Sequence, residues 1–92
     1  MFIVNDGIFK GDVEIGLHSK ENYSGVKMIL KNPRIRNTGF GAKFESKNGS
    51  ACISKEDIAH MDQVDVSNRC VSYYVSYSDG MEASVTLRGI GA

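Results

Sequence analysis

Polar and apolar residues alternate strictly through the last quarter of the chain. Val71, Tyr73, Val75 and Tyr77 are apolar, with Ser72, Tyr74 and Ser76 between them. After Ser78-Asp79-Gly80, Met81, Ala83, Val85 and Leu87 alternate with Glu82, Ser84, Thr86 and Arg88. A period of two places one set on a buried face and the other on a wet one, as in a half-buried strand. The three-residue connection ending in glycine suits a turn that closes on a left-handed residue, so 71–88 is predicted as a hairpin.

The same reading extends upstream. Val13, Ile15 and Leu17 alternate with Asp12 and Glu14, and Val26, Met28 and Leu30 form an inward set with Lys27, Ile29 and Lys31 opposite. Asp6-Gly7 and Asn48-Gly49 carry the turn chemistry of hairpins, because glycine takes positive φ without penalty. They predict pairing of 2–4 with 8–10, and of 42–47 with 50–53. Residues 19–24 are polar and read as a loop, and Pro33 is expected to end the strand before it. One segment reads as helical. Ser54 with Asp57 three positions later forms a capping-box-like pair, and Ile58 and Met61 share a helical face, predicting a short helix near 55–61. Val64 and Val66 then resume strand-like alternation.

The expected architecture is all-β, or strand-dominated α+β, with about seven short strands and one short helix. A small antiparallel barrel is the first expectation and a two-sheet sandwich the second. The order of strands, the short turn through Ser54 and Ile58, and further strands resembles the outline of bacterial pleckstrin-homology-like barrels. That resemblance implies a barrel and a weak lipid-headgroup site in its mouth. The chain departs from the pattern by ending in a strand and Gly89-Ile90-Gly91-Ala92, where that family places a closing helix.

Ninety-two residues with 41% hydrophobic and 24% charged content make one modest globular domain and argue against wholesale disorder. Three apolar residues ahead of Asn5-Asp6-Gly7, with no base before them, are too few for a secretory leader, so a cytoplasmic protein is expected. Cys52 and Cys70 are eighteen positions apart without a CxxC pattern. They read as space-filling residues, with a disulfide between neighbouring strands as the alternative.

The formal charge is zero, but it is divided. Residues 27–47 carry Lys27, Lys31, Arg34, Arg36, Lys43 and Lys47 against Glu45 alone, a local balance of +5; the rest of the chain carries −5. Such a division gives a field that can steer a partner. On extended backbone Lys27 and Lys31, Arg34 and Arg36, and Lys43 and Lys47 each share a side, as rows with an i, i+2 spacing of about 7 Å.

Catalytic and metal chemistry leave little trace. His18 and His60 lie far apart, outside any Cys/His cluster, and Asp57, Asp62 and Asp65 do not follow a calcium-loop pattern. Gly39-Phe40-Gly41 lacks the Lys-Ser/Thr of a phosphate loop, and neither cysteine sits in a nucleophile signature. No enzyme, metal or cofactor is expected. Thr38-Gly39-Phe40-Gly41-Ala42-Lys43-Phe44 is similar to the glycine-aromatic strand motif of cold-shock and RNA-recognition domains, and the resemblance implies base stacking by Phe40. The bland alternative makes Phe40 and Phe44 core residues and the lysines a defence of strand edges.

Two functions therefore compete. One is a small non-enzymatic interaction domain whose basic and acidic surfaces meet a protein partner or a second copy of the chain. The other is sequence-tolerant binding of single-stranded nucleic acid through 27–47. The candidate binding residues are Lys27, Lys31, Arg34, Arg36, Phe40, Lys43, Lys47 and Tyr74. Tyr23, Tyr74 and Tyr77 are further candidate contacts because tyrosine is common at interfaces, and Tyr74 lies on the polar side of its strand. A membrane is not an expected partner.

Overall fold

In the computed structural model, which describes residues 5–19 and 25–89 with only the backbone at Val66, all regular structure is strand. The strands are β1 (Gly7–Ile8), β2 (Gly11–Ser19), β3 (Gly25–Lys31), β4 (Arg34–Asn37), β5 (Gly41–Ser46), β6 (Gly49–Ser54), β7 (Ile58–Ser67), β8 (Cys70–Tyr77) and β9 (Met81–Gly89). They form two antiparallel sheets, a four-stranded one in the order β1-β4-β5-β6 and a five-stranded one in the order β3-β2-β9-β8-β7. The two sheets do not join into a closed barrel, so the sandwich expectation describes the fold and the barrel does not.

The inward sets follow the alternation except toward the strand ends, where Leu17, Val26 and Met81, expected inside, are exposed. Val13, Ile15, Val75, Ala83, Val85 and Leu87 of the larger sheet are buried. They meet Ile35, Ala42, Phe44 and Ile53 of the smaller sheet in a single cluster. Among the described residues Phe44 is the largest side chain fully shielded from water. It supplies the bulk that a core without tryptophan otherwise lacks.

Two corners carry the chain between sheets. At the first, β1–β2 and β3–β4 are one ladder bent in the middle. From Ile8 to Asp12 the chain advances four positions while its partner retreats three, from Arg34 to Lys31. That one-residue bulge is a common way for strands to turn a corner between sheets. The bend is held by Phe9 N–H donating to the Pro33 carbonyl (2.9 Å) and Asn32 N–H to the Gly11 carbonyl (2.8 Å). Gly11 N–H donates to Asn32 Oδ1 at 3.0 Å. Gly11 sits at φ +145°, and a Cβ there would lie 2.0 Å from the Arg88 carbonyl oxygen, so no other residue fits.

The second corner replaces the expected helix. Ser54 Oγ accepts from Glu56 N–H at 3.1 Å, but it caps a turn and not a helix. Asp57 takes φ +59°, which a continuing right-handed helix does not allow. Its carbonyl accepts from Ser78 N–H at 2.8 Å and Ser78 Oγ at 3.0 Å. Ile58 is already paired with Tyr77 in β7. Local capping chemistry was present, but a long-range ladder used the same residues.

Two turn positions also differ from expectation. Gly7 pairs with Ile35, placing it within a strand and not at a turn, while residues 2–4 lie outside the described residues. Ser46 pairs with Gly49, so the β5–β6 turn is Lys47-Asn48, one position earlier than expected. This frees the Asn48 side chain to reach the neighbouring sheet. Its Nδ2 donates to the Ile29 carbonyl at 2.8 Å, and Ser46 Oγ donates to the Lys31 carbonyl at 2.7 Å. Together they cover part of the outer edge of β3 and seal the two sheets along that side.

Candidate functional site

Each sheet presents one face to water, and the two faces differ in kind. On the smaller sheet, Arg34 and Arg36 of β4 and Lys43 of β5 all point outward and are exposed. Cross-strand register aligns Ile8, Arg34, Glu45 and Ser50 in one row and Arg36, Lys43 and Cys52 in the next. Arg36 donates to Glu45 Oε1 at 2.7 Å, the one carboxylate that ion-pairs with these three bases among the described residues. That contact holds the Glu45 carboxyl below its ordinary range, with Lys43 and Arg34 adding to the pull. Lys43 stands directly opposite Arg36, and like charges so placed weaken a sheet.

The basic surface continues past the end of this sheet. Lys47 is exposed in the β5–β6 turn, whose Asn48 is bonded to β3 beside Lys31. Lys31 and Lys27 both point outward from β3, as expected, and Lys27 binds Glu14 at 2.8 Å. Phe40, 73% exposed, occupies the turn between β4 and β5. The turn is folded by Thr38, whose Oγ1 accepts from the N–H groups of Phe40 and Gly41 at 3.2 and 3.1 Å. Phe44 is buried in the core, so the paired aromatic platform of the cold-shock-like motif is not formed. Thus Arg34, Arg36 and Lys43 share the outer face of the smaller sheet, with Lys47 beyond one end of β5 and Phe40 beyond the other, whereas Lys27 and Lys31 lie on the outer face of the larger sheet, the face that carries Tyr74.

Tyr74 stands on the outer face of the larger sheet, 50% exposed. The register places Lys27, Gly16, Ser84, Tyr74 and Asp62 in one row across all five strands. Ile29, Glu14, Thr86, Ser72 and Val64 form the next row. Three of the charges here are joined in one ion-pair cluster. Glu14 bridges Lys27 and Arg88 (2.8 and 2.9 Å), and these two contacts lower its carboxyl pKa. Ser72 and Thr86 hydroxyls bond each other at 2.9 Å.

The acidic residues do not form a helical patch. Glu56 and Asp57 belong to the second corner, Asp62 points outward from β7, and Asp65 lies opposite Val71 on the inner side. The acidic strand β7 and the basic strand β3 are the two opposite edges of the larger sheet. His60 and Asp62 are 3.1 Å apart on β7, and His18 and Glu82 are 3.5 Å apart across β2 and β9.

An open cleft of about 860 Å³, between β1 and the β7–β8 turn, was not foreseen. Asp6, Phe9, Asp65, Arg69 and Tyr73 contribute to its walls. Burial, with help from Asp65, raises the Tyr73 phenol pKa. Cys52 is an exposed free thiol on β6, and Cys70 a half-buried free thiol on β8, so they lie on different sheets and form no disulfide. Exposed Cys52 is therefore not the space-filling residue expected. Among the described residues, no three His, Cys, Asp or Glu side chains cluster closely enough to hold a metal ion. No helix among them is long and apolar enough to cross a membrane. Tyr23 lies outside the described residues. No family model, no curated protein and no solved structure matches the chain.

Proposed function

We propose that this protein is a small binding domain that docks an acidic surface of a protein partner on the outer face of its four-stranded sheet. One observation carries the reading. Arg34, Arg36 and Lys43 converge on adjacent strands with Glu45 as the one carboxylate that ion-pairs with them among the described residues, and Lys47 and Lys31 extend the field around the β5–β6 turn. Placing Lys43 opposite Arg36 costs the isolated sheet some stability, and carboxylates from a partner would relieve that repulsion. Guanidinium groups also suit bidentate capture of carboxylates.

A second reading is supported by Phe40. A largely exposed ring at the end of a basic face can stack a nucleobase while the cations contact phosphates. The two readings separate in one titration. Labelled poly-glutamate and oligo-deoxythymidine are added to the protein and to the variant Arg34→Glu/Arg36→Glu/Lys43→Glu at low and physiological salt. Binding of poly-glutamate that is lost in the triple variant supports the first reading. Oligonucleotide binding that falls on Phe40→Ala replaces it with the second. Binding of neither probe at low salt ends both.

A further inference from the structure

The outer face of the five-stranded sheet carries a pattern that the basic face does not explain. Its strand order places β9 in the centre, β2 and β8 on either side, and β3 and β7 at the edges. A rotation of half a turn about an axis lying along β9 therefore lays β2 on the partner's β8 and β3 on the partner's β7. The row Lys27, Gly16, Ser84, Tyr74, Asp62 then meets itself reversed. Lys27 falls over the partner's Asp62, Tyr74 over the partner's Gly16, and Ser84 over the partner's Ser84. In the neighbouring row, Ile29 falls over the partner's Val64. We propose that this face is a self-association surface that closes two copies of the chain into a symmetric dimer about that axis.

Each pairing is chemically matched. Tyr74 is a half-exposed knob, and Gly16 is the residue without a side chain in the row, with Ser84 Oγ beside it, 2.8 Å from where a Cβ would stand. Ile29 and Val64 are 48% and 46% exposed, two apolar side chains on opposite edges of one face. Lys27 bonds Glu14 yet keeps 69% of its side chain in water, so it can meet a second carboxylate. The like charges that fall on the axis, Glu82 and Arg88, stand in the two outermost of the four rows; Arg88 already pairs with Glu14, and the His18 ring lies 3.5 Å from Glu82.

The charge gradient also selects the axis. A two-fold axis across the strands would lay β3 on the partner's β3 and β7 on the partner's β7, setting basic edge against basic edge and acidic edge against acidic edge. The area is sufficient. Five strands about 4.8 Å apart and four outward rows about 7 Å apart give a footprint of about 650 Å² per copy. Doubled, that lies at the lower end of the roughly 1,200–2,000 Å² of stable interfaces. An isologous contact of this kind closes on itself and does not propagate. It also leaves the two basic faces pointing outward on opposite sides, so one dimer presents the proposed docking surface twice.

Sedimentation of the full chain over a range of concentrations tests this. A reversible dimer is expected, weakened at least tenfold by Asp62→Lys, which sets a cation against the partner's Lys27, and likewise by Tyr74→Ala. Both positions are exposed, and far-UV circular dichroism and melting at monomeric dilution check that the variants fold. The charge swap Lys27→Asp/Asp62→Lys is expected to recover association. Arg34→Glu/Arg36→Glu/Lys43→Glu should dimerise like the parent, which separates this inference from the proposed docking function. A parent chain that stays monomeric at every concentration overturns the proposal. So does a dimer that Asp62→Lys and Tyr74→Ala leave unchanged, because it would use another face.

Discussion

The two outer faces are built from the same strand geometry but handle charge in opposite ways. On the larger sheet Glu14 sits between Lys27 and Arg88, and Glu82 sits beside His18. On the smaller sheet Arg34 and Lys43 have no ion pair among the described residues, and Arg36 alone holds Glu45. A face that neutralises its own charge has matched relief left to recognise a copy of itself. A face that leaves like charges adjacent keeps a field for a different, acidic partner. Net charge zero thus conceals two surfaces that dispose of their charges differently.

The comparison depends on the corners that hold the faces apart, and the largest effect is expected there. Gly11→Ala would drive a Cβ into the Arg88 carbonyl and force an alanine to φ +145°. Urea denaturation should register a loss of about 4 kcal/mol or more, enough to unfold a small domain. Phe44→Ala, which empties the shared core between the faces, is expected to cost about 3–5 kcal/mol. Near-parental midpoints in either variant would contradict this packing.

Next in size is the seam at β3. Asn48→Ala removes the Nδ2 bond to the Ile29 carbonyl, and the exposed setting limits the loss to about 1 kcal/mol. The same variant uncovers part of the β3 edge, so aggregation on heating should increase relative to the parent.

Acid should sharpen the contrast. Because Lys27 and Arg88 lower the Glu14 pKa in the folded state, the unfolded chain binds its proton first as the pH falls. The stabilisation is complete above the ordinary carboxylate pKa and is lost as the pH drops through the folded one. Melting temperatures of the parent and Glu14→Gln should therefore differ near neutrality and converge in acid. A gap that stays constant across the acid range would mean that the Glu14 charge is not what stabilises.

The smallest effect has the opposite sign. Lys43→Thr removes the like-charge opposition to Arg36, and a gain of about 0.2–1 kcal/mol is expected together with weaker poly-glutamate binding. A variant that is both less stable and equally able to bind would remove the argument that Lys43 is kept for a partner.

Much of this was legible in the sequence where side-chain alternation is strict. The inward set Val71, Tyr73, Val75, Ala83, Val85 and Leu87, and the outward Lys27, Ile29 and Lys31, follow from a period of two. Tyr74 was singled out for the same reason. What was hidden lay in the pairing between distant strands. Ser54 and Asp57 carry helix-start chemistry, yet Ser78 engages the Asp57 carbonyl and Tyr77 pairs with Ile58, both more than fifteen positions away. The Lys47-Asn48 turn was displaced by one residue because Asn48 is used by β3 and not only by its own hairpin. The match of Lys27 with Asp62 and of Gly16 with Tyr74 appears only after four separate pairings are put in register.

The central claim is that the two faces work independently. Its most direct test measures dimerisation and poly-glutamate binding side by side in Asp62→Lys and in Arg34→Glu/Arg36→Glu/Lys43→Glu. The first variant should lose the dimer and keep poly-glutamate binding in the monomer, and the second should do the reverse. If either variant abolishes both properties while remaining folded, or if neither variant alters either one, the division between the faces is wrong.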